Sequence, residues 1–290
     1  MPSPPSLTRE ELIEQAYFFR AVRQRLEEGW STQGILEQLQ GELLATTRMP
    51  LAVDYMLTQV KHGGRICDAM RDLPHYFTGF QTHVVAQSEA ERAKFTFTQA
   101  MLILEREAEY KAEGSSAAGL FVYQLETLTR NQLGYLDGMI AMESDGIYDA
   151  DWRQYISFVR SQVGLMDFAE LVFIRSEHFV SERRKSDPDY EPIRRPLFGE
   201  KEGRIAAANR GRDPNYLFGA LQRQLGFPHV PRPPKQSTQA KEIDDLKRRM
   251  KALESKLQIL EGDVYGRTDV GAFVSKEPSP PPTKPPRPKE

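Results

Sequence analysis

Five histidines and one cysteine are the side chains most able to do chemistry in this chain, and their spacing argues against most of it. His62, His75, His83, His178 and His229 include no pair at i, i+4 with an intervening glutamate, the helical zinc arrangement of metallohydrolases. Cys67 has no CxxC partner and lies on an apolar stripe with Ile66 and Met70, where a buried structural thiol is expected rather than a nucleophile. Gly63-Gly64 lacks the GK[ST] ending of a phosphate-cradling loop, and GxGxxG does not occur. Asp145, Asp149 and Asp151 crowd the start of a helical pattern. That placement suits helix capping, whereas calcium would want more oxygen ligands and a defined loop. No metal or cofactor is expected, and a helical enzyme would need a deep pocket between helical blocks lined by several titratable groups.

Positive charge concentrates in one stretch. Arg183, Arg184, Lys185, Arg194, Arg195, Arg204, Arg210 and Arg212 fall within thirty residues, with Phe198 and Tyr216 nearby. The stretch reads either as a surface for nucleic acid or an acidic partner, or as a solvated loop beside a helix end. The whole chain weighs against generic nucleic-acid binding: Lys and Arg total 39 against 41 Asp and Glu, a net charge of −2. A single cysteine rules out an internal disulfide framework. No run of about 18 apolar residues could span a bilayer, and Met1-Pro2-Ser3-Pro4-Pro5-Ser6 lacks the basic start and apolar run of a signal peptide. A cytoplasmic protein is expected.

The elements that carry these residues read as all-α. After a Pro/Ser arm (1–7), Thr8 and Glu11 form a candidate capping box, with Gly29 ending the first helix. Ser31 or Thr32 opens a second helix, Pro50 a third that stops at Gly63-Gly64, and a short one runs over about 65–72. A fifth, from about Phe77 to Arg92, and a sixth, from about Phe95 to Glu113, complete a block over 8–113. A second block (117–226) is expected to hold one helix from Ala117 to about Glu143, weakened at Gly134 and Gly138. Asp149 or Asp151 then caps a long helix reaching Arg184, and after a polar loop two short helices follow at about 200–210 and 214–225. A Pro-rich stretch (227–239) reads as a stiff linker and 265–290 as a disordered Pro-rich tail. Within that tail Pro282-Thr283-Lys284-Pro285-Pro286-Arg287 has the form of a string that docks in aromatic grooves.

Residues 240–264 have the clearest pattern. Ile243, Leu246, Met250, Leu253, Leu257, Leu260 and Val264 are spaced 3, 4, 3, 4, 3, 4, a coiled-coil seam. In a parallel pair the flanking charges would match as Glu242–Lys247′, Arg249–Glu254′ and Lys256–Glu261′, all attractive. Exposed pairs of this kind contribute at most about 1 kcal/mol each, so they choose orientation more than they hold the helices together. A parallel homodimer is the expectation, against a lone amphipathic helix that packs on its own domain.

Three groups of residues in the 8–113 block form a pattern. The first is Phe18-Phe19-Arg20, Leu26 and Gly29. The second is Val53, Val60, Gly63, Ile66, Ala69, Met70, Pro74 and Phe77, and the third Ser88-Glu89 with Phe97-Thr98-Gln99-Ala100-Met101. On these residues the block resembles the cytosolic helical module of the type II secretion F-domain family. Ser88 stands where the family has glycine, a short insertion follows, and the family's membrane helices have no counterpart. Gly164, Met166 and Ala169 faintly echo Gly64, Ile66 and Ala69, as a second copy of the module would. The resemblance implies an antiparallel six-helix bundle that docks machine components, an assembly ATPase among them, and does no chemistry itself. The expected function is therefore a non-enzymatic scaffold or adaptor that self-associates through 240–264. The alternative is a nucleic-acid-associated protein using 183–212.

Overall fold

A computed structural model describes residues 7–90, 95–232 and Met250. Thirteen α-helices account for most of the described residues, among which there is no β-strand, only an isolated parallel bridge between Ser176 and Phe198. The chain divides at Pro233/Pro234 into two units.

The first six helices follow the sequence punctuation closely. They are α1 (Arg9–Glu27), α2 (Thr32–Leu39), α3 (Met49–Lys61), α4 (Ile66–Arg71), α5 (Gly79–Ser88) and α6 (Phe97–Ala112). Ser31 caps α2 by accepting from the Gly34 N–H, and Gly29 and Gly63 end α1 and α3 with φ of +88° and +79°, where glycine avoids the Cβ penalty. The box at α1 is only half made. Thr8 accepts from the Glu11 N–H, but the Glu11 carboxylate turns to the backbone N–H and guanidinium of Arg48. Complete capping boxes occur instead at Thr78/Gln81 and Thr96/Gln99.

The second block is more broken than its apolar periodicity suggests. The expected 117–143 helix is two: α7 (Ala117–Asn131) and α8 (Tyr135–Glu143). Gln132 and Gly134 both take left-handed φ, +55° and +72°, which no helix interior tolerates. The turn lets Gly138 approach α7 so closely that a Cβ there would sit 2.4 Å from the Leu128 side chain. The expected long helix to Arg184 is three: α9 (Ala150–Gln162), α10 (Phe168–Phe173) and α11 (Glu177–Ser186). Gly164 at φ +80° breaks the first gap. Asp167 and Ser176 then cap new N-termini, each accepting a backbone N–H. The echo of α4 fails here, because Met166 is 37% exposed where Ile66 is 4%. Helices α12 (Glu200–Ala208) and α13 (Pro214–Leu225) fall where expected.

One continuous apolar core runs through both blocks, from Ala16 to Val230, so Gly114-Ser115-Ser116 is a turn within a single compact unit. Helix α1 packs chiefly on α6, and Arg20 and Arg23 both reach Glu105 across that contact, at 2.7 and 3.0 Å. In the second block Phe121, Trp152, Tyr155 and Phe198 meet ring to ring with centroids 5.4 to 6.3 Å apart.

The start of the expected linker is part of this unit. Phe227 and Val230 are buried, and Tyr110, Arg106 and Gln99 donate to the carbonyls of Leu225, His229 and Arg232. Two apolar side chains beside the prolines gain more by burial than a stiff exposed segment would allow. Residues 233–239, the tail and the arm up to Ser6 lie outside the described residues. So does the seam, apart from Met250, which is helical and 61% exposed.

Candidate functional site

A concavity of about 1160 Å³ lies between the two blocks. Leu12 of α1, Phe77 and Gly79 before and in α5, Lys111 at the end of α6 and the turn Glu143–Ile147 after α8 meet around it. The fold draws these segments together closely: the Gly79 N–H donates to Ser144 Oγ, and a Cβ on Gly79 would stand 2.3 Å from that oxygen.

Gln15, Gln81, Lys111 and Asp145 line it and belong to a connected set of polar groups from four helices and the turn after α8. Thr78 N–H donates to Gln81 Oε1, which fixes the Gln81 amide, and Gln81 Nε2 then donates to Gln15 Oε1 at 2.8 Å and Glu107 Oε2 at 3.1 Å. Gln15 Nε2 donates to the Tyr76 carbonyl at 3.2 Å. Gln124 Nε2 donates to Glu107 Oε1 at 2.6 Å, and the Tyr148 hydroxyl donates to Gln124 Oε1 at 2.8 Å. Lys111 Nζ lies 2.6 Å from Asp145 Oδ2 and 3.4 Å from Glu107 Oε1.

This arrangement satisfies charge rather than freeing it. Burial alone would pull the Lys111 ammonium down, but Asp145 and Glu107 outweigh it and hold it above its ordinary value. Lys111 is therefore a cationic donor at neutral pH, unsuited to nucleophilic or Schiff-base chemistry. Burial raises Glu107, opposed by the neighbouring ammonium, and both its oxygens face donors, as an acceptor requires. Burial also holds Tyr148 well above its usual value, so its hydroxyl keeps the proton it donates. At the rim, His83 Nε2 sits 2.6 Å from the Leu133 carbonyl, and burial depresses its pKa, favouring a neutral ring.

Of these residues only Asp145 stood out in the sequence, among the helix-capping candidates. For Glu107 and Gln124 the signal was a polar residue where the helical stripe calls for an apolar one: Glu107 follows Leu104 at i+3, and Gln124 sits in the Phe121–Leu128 run. Asp145 is not the helix cap its neighbours suggest. Asp149 caps α9, accepting from the Trp152 N–H, while Asp145 is buried against Lys111. Cys67 is buried as expected. Burial, followed by the nearby Glu89 carboxylate, pushes its thiol up to about 12, and Glu89 accepts the Ile66 and Cys67 N–H groups at the start of α4. Among the described residues no cluster of three or more His, Cys, Asp or Glu could hold a metal ion.

The basic residues do not form one open surface. Arg195 pairs with Asp149 at 2.9 Å and lies 3.6 Å from Asp151, Arg204 pairs with Glu200 at 3.1 Å, and Arg210 with Glu170 at 2.5 Å. Arg184 donates to the Tyr190 carbonyl and Arg183 lies over the Phe179 ring. Lys185, Arg194 and Arg212 remain exposed without an acidic partner among the described residues.

Fold and site together define an all-helical unit, among the described residues, with a mixed-polarity cavity and an internally paired charge network. No family model, curated protein or solved structure matches this chain. No described helix is long and apolar enough to cross a membrane.

Proposed function

We propose that this chain is a non-enzymatic cytoplasmic scaffold or adaptor. Its helical unit docks protein partners and residues 240–264 join two copies as a parallel coiled coil. The observation that carries the reading is the uninterrupted heptad from Ile243 to Val264 with complementary flanking charges, placed beyond the compact unit that ends at Pro233. The cavity meets one condition of the helical-enzyme reading. Its charged lining residues Lys111 and Asp145, however, are bonded to each other, which supports docking over catalysis. Exposed apolar pairs one turn apart, Leu136/Ile140 on α8 and Ile13/Tyr17 on α1, supply surface for partners.

The order and punctuation of α1–α6 support the resemblance to the F-domain module as an antiparallel six-helix bundle. Gly29 and Gly63 stand at the helix ends, and Phe18, Phe19, Ile66, Ala69 and Phe77 lie in the core. The nucleic-acid alternative is weakened by the carboxylates on Arg195, Arg204 and Arg210, which a polyphosphate would have to displace.

Light scattering on the full chain tests the proposal. The expected mass is that of a dimer, reduced to a monomer by Leu253→Glu or by truncation after Gln236. A mass unchanged by either alteration sinks the coiled-coil assignment.

A further inference from the structure

Arg175 stands two residues past the end of α10 and closes the apolar run Leu171-Val172-Phe173-Ile174. Its carbonyl accepts the N–H groups of Leu197 and Phe198, at 2.7 and 3.1 Å, so the 187–198 loop is pinned across it. The residue is only 7% exposed. Its Nε and Nη2 are enclosed and meet no acceptor among the described residues. The guanidinium lies 5.5 Å from the centre of the Tyr155 ring, which attracts the charge but offers no lone pair to the N–H groups. The Tyr155 hydroxyl is likewise enclosed without a partner among the described residues.

The surroundings add positive charge. Burial pulls the Arg175 pKa down. Tyr155 opposes that, Arg194 and Arg195 reinforce it, and Asp151 is the acid that offsets them. Asp151 and Asp149 are both already engaged by Arg195. Arg194 is exposed and faces no carboxylate among the described residues. A guanidinium does not lose its proton in proteins, so Arg175 cannot escape its burial by becoming neutral. An unpaired buried charge is among the most unfavourable features a fold can carry, and its partner must be an acceptor.

We infer that Arg175, with Arg194 and the Tyr155 hydroxyl, forms a binding site for an oxoanion of the phosphate or carboxylate type. The planar fork of a guanidinium matches two oxygens of such a group, and a second arginine beside it balances further charge. Nη1 is the head-group nitrogen not sealed away without a partner, and is the point of first contact. The Tyr155 hydroxyl supplies a neutral donor on the enclosed side. This site shares Arg194 with the basic stretch seen in sequence, but its anchor is the arginine that stretch left out.

Thermal unfolding of the full chain, with inorganic phosphate or acetate against sodium chloride at matched ionic strength, tests the site. At about ten times its Kd, the preferred anion is expected to raise Tm by roughly 3–6 °C for a unit of this size. The two arms tell phosphate from carboxylate chemistry. In Arg175→Met the anion effect disappears, and Tm without anion equals or exceeds the wild-type value because an unpaired charge has been removed. Arg194→Ala alters only an exposed side chain and reduces the shift. The inference is overturned if neither anion raises Tm or if both variants keep the full shift. It is equally overturned if Arg175→Met lowers the anion-free Tm by several degrees, since Arg175 would then be a structural group satisfied within the fold.

Discussion

Two buried cations sit in this fold, Lys111 at the end of the first block and Arg175 in the second, and they are treated in opposite ways. Lys111 lies between two carboxylates, Asp145 at 2.6 Å and Glu107 at 3.4 Å, and these in turn are held by Gln81, Gln124 and a backbone N–H. Arg175 lies against an aromatic ring with two of its nitrogens enclosed and unbonded. The direction of each pKa records the difference. Burial is the largest influence on both; carboxylates reverse it at Lys111, and like charges reinforce it at Arg175. A cation that the chain pairs internally is part of what holds the structure together. One that it leaves unpaired is costly unless something outside the chain completes it.

The comparison breaks first at Lys111. Lys111→Met removes the ammonium and leaves Glu107 and Asp145 buried beside each other. Losing one side of such a buried pair typically costs about 3–5 kcal/mol. Chemical denaturation should register that loss, and a change below about 1 kcal/mol would mean that the network contributes little.

Alkaline pH should produce the next largest effect. The folded-state pKa of Lys111 lies above its ordinary 10.5, so its stabilising contribution is complete below that value and is lost as pH rises through the raised one. Tyr123 and Tyr148 act in the same direction, because their buried hydroxyls keep protons that the unfolded chain releases above about pH 10. Stability should therefore fall from about pH 10 upward. Phenolate absorbance should show these two rings ionising only with unfolding, and ionisation before unfolding would contradict the burial.

The sequence makes local punctuation legible and leaves long-range pairing hidden. Caps and glycines marked α1 to α6 because each signal acts within four residues of the helix end it sets: Ser31 on Gly34, Gly29 after Glu28. The breaks after Asn131 and Gln162 were missed because the apolar positions keep helical spacing across them. Gly134 marked a weak point in the sequence, but the left-handed φ of Gln132, Gly134 and Gly164 is what turns the chain there. Lys111 and Asp145 are 34 residues apart and Gln15 and Gln81 66 apart, so no window of helical length contains either pair. Arg175 did leave a trace, a lone charge closing an apolar run, which the search for clustered basic residues passed over.

A single-atom deletion made in both regions sharpens the contrast. Tyr148→Phe removes the hydroxyl that donates to Gln124 at 2.8 Å, leaving that amide oxygen enclosed without its donor. The expected cost is about 1–2 kcal/mol. Tyr155→Phe removes the hydroxyl beside Arg175, which has no partner to lose, so in the absence of a bound anion the change should lie within about 0.5 kcal/mol of zero. Both rings are fully buried and both keep their aromatic contacts in the variants, so the difference between the two values isolates hydrogen bonding from packing. Equal losses would show that the Tyr155 hydroxyl is bonded within the fold after all, and would remove the neutral donor from the proposed oxoanion site.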